Sequence, residues 1–311
     1  MSTPSRLRSA GGHPLVGQAA MVGAVTCFGL SFSVIKWPGT SGAVIAWWRL
    51  VASTGIWWVV LAVLRLRGRP LPSRETWRAV VPAALSFGLN ISLMFVSVTR
   101  TSVAHSQFIV ALAPLVLAPL GLVMFQERPA PGSLRWGALS FGGLVIVLAF
   151  GSDDGVATVA GDLLAVGGML GFVGYLAFTK RARARGVGTL DFVAILMPVA
   201  VVTATPVAAL TSDSLWPASG ETWVAIAILA VLTGMIGHAL LVYAQRSVPI
   251  VTVGVIQVSQ PAQATFWAWV FLGESIAFAQ VPGMALVMAG LVLVVVAGQR
   301  AAARSVIPTP G

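Results

Sequence analysis

Polar side chains of the kind that could bind a substrate interrupt the long apolar stretches of this chain. His105 and Gln107 lie in one such stretch, and Gln257 and Gln260 lie in another. Amides surrounded by apolar residues need hydrogen-bond partners, which a water-filled cavity supplies. We therefore expect Gln107, Gln257 and Gln260 to line a polar cavity. Hydrogen bonds between helices, worth about 1 kcal/mol each, are the alternative.

Titratable groups are rare in the same stretches. Histidine changes charge between about pH 5 and 8, so His238 and His105 are candidates for coupling to protons; the alternative is a neutral histidine bonded to a neighbouring helix. Arg49 is the only basic residue well inside an apolar stretch. It either extends to the outer surface, contacts a substrate carboxylate or braces a gate. No carboxylate occupies a comparable position, so a buried acidic proton relay is not predicted.

Prolines and tyrosines complete the candidate site. Proline inside a helix frees a backbone carbonyl and weakens the helix there, so Pro114 and Pro261 mark either fixed kinks or hinges of a gate. Tyr175 and Tyr243 are placed at the wall of an aromatic-tolerant cavity.

The elements that carry these residues follow from composition. Hydrophobic residues make up 57% of the 311 residues and charged residues 9%, whereas a soluble domain carries about 25% charged residues. Apolar runs near 20 residues without period-2 alternation predict membrane-spanning helices rather than barrel strands. The sequence predicts an all-α polytopic membrane protein whose ten spans are residues 15–36, 42–64, 79–98, 102–125, 134–150, 161–179, 190–210, 222–243, 250–272 and 281–298.

The distribution of positive charge predicts the orientation. Of the 19 Lys and Arg residues, only Lys36 and Arg100 fall in the outer segments when both termini are cytoplasmic. The net charge of +10 therefore reflects topology, and no nucleic-acid partner is predicted. We expect a multi-pass protein of the cell (inner or plasma) membrane, in contact with the lipid bilayer.

The two halves repeat each other with a shift of 147 residues. Pro114, Glu127 and Gly143 fall on Pro261, Glu274 and Gly290, and Lys36 matches Lys180 at a shift of 144. Asn90 matches Gly237, next to His238, so Asn90 and His238 form a near-symmetric pair suited to a substrate site. Each half has five predicted spans, and an odd number places the second half upside down in the membrane, which gives an inverted 5+5 repeat.

These halves resemble the EamA domain of the drug/metabolite transporter superfamily, ten-helix type. The resemblance covers about residues 17–298. Its carrying segments are Thr101-Ser102-Val103-Ala104 through Pro114, Phe125-Gln126-Glu127-Arg128-Pro129, Gly142-Gly143, Gln260-Pro261, Leu272-Gly273-Glu274 and Ala289-Gly290. It implies an exporter or exchanger of amino acids, other small metabolites or drugs, with a central cavity between the halves.

The predicted organisation is a cytoplasmic tail (1–14), a first repeat (15–150), an outer linker (151–160), a second repeat (161–298) and a cytoplasmic tail (299–311). The predicted function is secondary transport of a small neutral or zwitterionic metabolite by alternating access, with no catalytic residue, cofactor or metal and with a proton as candidate coupling ion. Multidrug efflux is the alternative, followed by a lipid scramblase or a non-transport receptor.

Overall fold

The computed structural model describes residues 14–126, 132–150, 157–217, 219–237, 240, 244 and 256–305. These residues are helical or in short connections, and they form no β-strand. In the first half the helices are α1 (Pro14–Lys36), α2 (Gly42–Leu66), α3 (Arg74–Arg100), α4 (Val103–Ala111), α5 (Ala113–Phe125) and α6 (Ser133–Ala149). In the second half they are α7 (Val159–Ala184), α8 (Thr189–Thr211), α9 (Gly220–Val231), α10 (Gln260–Leu272) and α11 (Val281–Ser305).

Seven helical segments in the described part of the chain are long and apolar enough to cross a membrane. They are Val16–Lys36, Gly42–Leu66, Arg74–Arg100, Val103–Phe125, Val159–Ala184, Thr189–Thr211 and Phe278–Gly298, and Leu134–Ala149 and Gly220–Val231 are shorter apolar helices. Large apolar side chains such as Val59, Leu163 and Leu210 are exposed along them, as expected for a surface that faces lipid. The all-α prediction therefore agrees with the described residues, whereas the count of ten spans stays a prediction.

Hydroxyl side chains form the N-caps of four helices. Ser73, Ser102, Thr158 and Ser219 each accept a hydrogen bond from the backbone N–H three residues later. The first turn of a helix leaves backbone N–H groups without intrahelical partners, and these caps satisfy one of them. The caps fix where α3, α4, α7 and α9 begin.

The two prolines singled out by the repeat lie at helix starts. A break at Leu112 (φ −79°, ψ 0°) separates α4 from α5, and a turn at Ser259 (φ −71°, ψ −10°) precedes α10. Pro114 and Pro261 are each the second residue of the new helix, where proline costs no hydrogen bond. The breaks are thus related by the 147-residue shift, and their role as hinges stays a prediction.

Contacts between α2 and α8 follow the same shift. Trp47 Nε1 donates to Thr205 Oγ1 at 2.9 Å, and Trp58 Nε1 donates to the Ala194 carbonyl at 3.1 Å. Adding 147 to 47 and to 58 gives 194 and 205, so each contact maps onto the other when the halves are exchanged. The pairs also show that α2 and α8 run antiparallel.

The contacts between α6 and α11 are also related to each other by the 147-residue shift. A Cβ added at Gly143 would lie 2.7 Å from the Gly283 carbonyl oxygen, and one added at Gly290 would lie 2.8 Å from the Trp136 carbonyl oxygen. Residue numbers rise along α6 as they fall along α11, so these helices are antiparallel too. Only residues without a side chain allow such a close backbone approach.

Most of the other helix contacts involve α3 or α4. Helix α3 packs against α7 and α8, α4 packs against α7 and α10, and α1 packs against α10. A central apolar cluster joins both halves and includes Ile45, Phe95, Val103, Leu229 and Ala264. Helix α4 therefore begins where elements of both halves meet.

Candidate functional site

A cluster of polar side chains surrounds the start of α4. It joins residues of both halves, and we call it the inter-repeat cluster: Lys36, Thr101, His105, Asp162, Glu274 and Gln280. The end of the bundle that holds it is called the Lys36 end.

Glu274 connects two elements of the first half to the segment that follows α10. Its Oε1 lies 2.5 Å from Lys36 Nζ at the end of α1, and its Oε2 accepts a hydrogen bond of 2.8 Å from Val103 N. The side chains of Lys36 and Glu274 are 19% and 10% exposed. Lys36 Nζ also donates to the Thr101 carbonyl at 2.8 Å. Water screens the attraction between charges enclosed in this way less than it screens a surface pair.

Asp162, in the first turn of α7, makes the second connection. It accepts a hydrogen bond of 2.6 Å from Thr101 Oγ1, and its two oxygens lie 3.1 and 3.2 Å from His105 Nδ1. The N-terminal end of a helix favours a negative charge, so α7 stabilises the Asp162 carboxylate. The imidazole is 4% exposed, which leaves it dependent on protein partners.

The second ring nitrogen of His105 faces Gln280. Gln280 Nε2 lies 3.5 Å from His105 Nε2 and donates to the Val147 carbonyl at 2.9 Å. A neutral imidazole that donates from Nδ1 to Asp162 presents a lone pair at Nε2, which suits an amide donor. Protonation would place a donor at Nε2 opposite that amide. The pair with Asp162 would gain strength while the contact with Gln280 would be lost.

A cavity of about 380 Å³ opens beside the cluster. Two cations and several hydroxyl groups line it, and the lining residues are Lys36, Gly39, Thr40, Ser41, Val96, Thr99, Arg100 and Thr211. Lys36 and Arg100 are the two basic residues assigned by sequence to the outer segments. They therefore converge on one opening.

The comparisons with known proteins bear on the whole chain. The model of the EamA-like transporter family matches residues 15–149 and 159–296. The chain belongs to this family.

The predicted membership of the EamA family is thereby confirmed, and the two matches show two copies of its repeat. With seven apolar helices long enough to span a bilayer, this EamA-like transporter is a multi-pass membrane protein with a small-molecule substrate.

Two curated relatives carry the name threonine/homoserine exporter RhtA, from Salmonella typhimurium strains SL1344 and LT2. Each is 27% identical over 189 residues, which is 58% of this chain and 60% of the relative. The matched region thus spans less than two thirds of these relatives. A solved crystal structure superposes with a TM-score of 0.59 over 92% of this chain and 97% of its own, at 16% identity, which shows a shared fold alone.

Two predicted cavity residues of the transporter are buried. Asn90 Nδ2 donates to the Gly168 carbonyl at 2.9 Å, which uses one of its donors in the contact between α3 and α7. Gln107, in α4, is 3% exposed, and its Nε2 has no hydrogen-bond partner among the described residues. Of the two, Gln107 keeps its donor group available.

The other cavity candidates that the structure describes, Gln257, Gln260 and Tyr175, form no hydrogen bond with the inter-repeat cluster. Gln257 is exposed, and Gln260 is partly buried at the start of α10. The Tyr175 ring packs 5.0 Å from the Phe87 ring, in an apolar cluster between α3, α7 and α8. His238 and Tyr243 lie outside the described residues; a π-helix, Leu232–Gly237, directly precedes His238.

The sequence assigns Lys36 to an outer segment and does not predict that it meets Glu274, or that Asp162 meets His105. The repeat did mark two of them, since Lys36 has the counterpart Lys180 and Glu274 the counterpart Glu127. Charged residues repeated at equivalent positions of a chain with few charges were the available signal.

Proposed function

We propose that this EamA-like transporter exports a small neutral or zwitterionic metabolite, with an amino acid as first candidate. The carrier works by alternating access between two inverted repeats of five helices each. In this proposal ten helices cross the cell membrane, both termini are cytoplasmic, and the Lys36 end faces outward.

The inverted arrangement is supported by the antiparallel pairs. Helices α2 and α8 are equivalent elements of the two halves, and so are α6 and α11. Two equivalent helices that run antiparallel are related by an axis in the membrane plane, because an axis along the membrane normal would make them parallel. Inverted repeats of this kind let one half rock against the other around a fixed site.

The observation that carries the proposal is the inter-repeat cluster. Two charge contacts, Lys36 with Glu274 and His105 with Asp162, connect the first half to the second at one end of the bundle. Charge pairs can separate and re-form without unfolding a helix. We infer that this cluster is the outer gate in its closed state, and that the breaks at Leu112 and Ser259 allow α4 and α10 to move.

His105 is the proposed coupling group of the gate. Its charged and titratable neighbours are Asp162 from α7 and, around the same start of α4, Glu274 and Lys36. Because a protonated imidazole binds Asp162 more strongly, proton binding favours the closed outer gate. Release of the proton from His105 to water would favour opening.

The substrate class is supported by what lies in the described spans and by the relatives. Clusters of intramembrane Lys and Arg, which a polyanionic substrate would need, are absent from the described spans. The similar proteins of Salmonella typhimurium are named as exporters of threonine and homoserine. Both names denote small zwitterionic amino acids.

Counterflow into proteoliposomes tests the proposal. Vesicles loaded with a mixed pool of amino acids are diluted into the same pool carrying isotope label, with and without an imposed pH gradient, and mass spectrometry reads the exchange. Exchange of one compound class by folded protein supports selective transport. Competition by unrelated hydrophobic cations would indicate multidrug efflux instead, and lipid movement without solute exchange would indicate a scramblase.

A further inference from the structure

Arg49 is a charged residue inside α2 that the gate does not use. It lies in the second turn of the helix, and its guanidinium sits over the ring of Phe95, 5.6 Å from the centroid. The side chain is partly buried, so it is enclosed by protein yet still accessible. A charged residue at such a position within a span is costly and points to a functional site.

No protein carboxylate neutralises Arg49 within the described residues. Three described carboxylates pair with other residues: Glu274 with Lys36, Asp162 with His105 and Asp191 with Arg69. The other three described carboxylates, Glu75, Asp213 and Glu221, form no ion pair with Arg49. Residues 238–255, most of which the structure does not describe, contain neither Asp nor Glu. The guanidinium makes no hydrogen bond with any described residue. Its five donors are therefore available.

The position of Arg49 is between the repeats. Phe95 is 3% exposed and belongs to the central apolar cluster, which contains Ile45 and Val103 of the first half and Leu229 and Ala264 of the second. Through Phe95, Arg49 therefore borders a cluster to which both halves contribute. This is the location that alternating access requires of a substrate site.

Packing does not explain the arginine. The position equivalent to Arg49 in the second half, 147 residues later, is Leu196, which is 3% exposed in the core between α3 and α8. The same fold thus accommodates leucine at this place in the repeat. The charge is specific to the first half.

We propose that Arg49 binds the carboxylate of the transported metabolite. This rests on the proposed transport function and narrows its substrate to compounds that bear one carboxylate. A guanidinium presents two parallel N–H donors that match the two oxygens of a carboxylate, and such pairs are the stronger hydrogen bonds. Because no described carboxylate pairs with Arg49, the ligand supplies its counter-charge in this proposal.

The test compares carboxylate-bearing probes with their amides. L-threonine, L-threoninamide and a pool of other amino acids are offered to wild-type protein and to the variants Arg49→Gln, Arg49→Lys and Arg49→Leu. Counterflow measures transport, and ligand-dependent shifts of the melting temperature measure binding. Arg67→Gln, a change in an exposed arginine just beyond the same helix, is the matched control.

Wild-type protein should prefer carboxylates to amides. Arg49→Gln should lower the rate for carboxylates at low concentration by about tenfold to a hundredfold, the effect of losing a charge-assisted contact, and leave the amides unchanged. Arg49→Leu should do the same and keep the wild-type melting temperature, since Leu196 occupies the equivalent position. Arg49→Lys should recover part of the preference.

An Arg49→Gln variant that prefers carboxylates to amides as strongly as the wild-type protein does would overturn the inference and leave the transport proposal intact. Wild-type protein that binds carboxylates through Arg49 but exchanges none would overturn the transport proposal and retain the binding site. Protein that is folded yet neither binds nor exchanges any compound of the pool would overturn both.

Discussion

Removing the charge of Glu274 should open the Lys36 end of the transporter. In Glu274→Gln the amide oxygen can still accept from Val103 N, but Lys36 loses its counter-ion and keeps only the Thr101 carbonyl. Breaking a buried ion pair costs about 3–5 kcal/mol and an exposed one less than about 1 kcal/mol. Because these side chains are 10% and 19% exposed, we expect about 2 kcal/mol, which multiplies the open population about 30-fold.

Cysteine labelling can measure this opening. Cys27 is the only cysteine, so Cys27→Ser removes the background in one step. Ala104, in the first turn of α4, is 7% exposed beneath the cluster, and a cysteine there should react slowly with a membrane-impermeant maleimide added outside. Adding Glu274→Gln should raise the labelling rate about tenfold or more. The combined variant Lys36→Met with Glu274→Gln should raise that rate by less than the effects of the two separate variants combined, because both remove the same ion pair.

Asp191→Asn provides the control, since it removes an ion pair with Arg69 that is 3.1 Å long and more exposed. That change should leave labelling at position 104 unchanged or lower it. Equal labelling with and without Glu274→Gln, in protein of unaltered melting temperature, would refute the assignment of the cluster as a gate.

Two further predictions concern packing and pH. Gly143→Ala should destabilise the protein by about 1–3 kcal/mol in a detergent melt, because the new Cβ would meet backbone atoms of Gly283. The control Gly142→Ala should be neutral or slightly stabilising, because a Cβ there meets nothing within 4 Å. Equal melting temperatures of the two variants would contradict the close contact between α6 and α11. Transport should slow on acidification, because a protonated His105 would hold Asp162 more tightly than a neutral one. His105→Gln should flatten this profile, and an unchanged profile would remove His105 as the coupling group.

Local sequence features predicted much of the fold. Helical segments, the family and the repeat all follow from apolar runs and from matched Pro, Glu and Gly residues, and the breaks before Pro114 and Pro261 lie at the predicted register. These features are local or periodic along the chain. They can therefore be recognised without knowing which helices contact each other.

The gate could not be predicted in the same way. Lys36 and Glu274 are 238 residues apart, and His105 and Asp162 are 57 apart. Lipid and protein interior are both apolar, so hydropathy does not tell which face of a membrane helix turns inward. When the rotation of each helix about its axis is unknown, a charge at the end of a span is interpreted as a loop residue, and Arg49 is interpreted as a side chain that extends to the surface.

Differences between the repeats should decide how the transporter works, since two identical inverted halves would give inward- and outward-open states of equal energy. The sequence repeats Lys36 as Lys180 and Glu274 as Glu127, so charges suited to closing a gate are present in both halves. His105 corresponds instead to Thr252 and Arg49 to Leu196 at the shift of 147, and Asp162 corresponds to Gln18 at the shift of 144 that relates α1 to α7. The residues that break the symmetry are therefore the ones to which we assign proton coupling and substrate recognition. Protonation of His105 can then favour one side of the membrane over the other, which a symmetric pair of gates could not do.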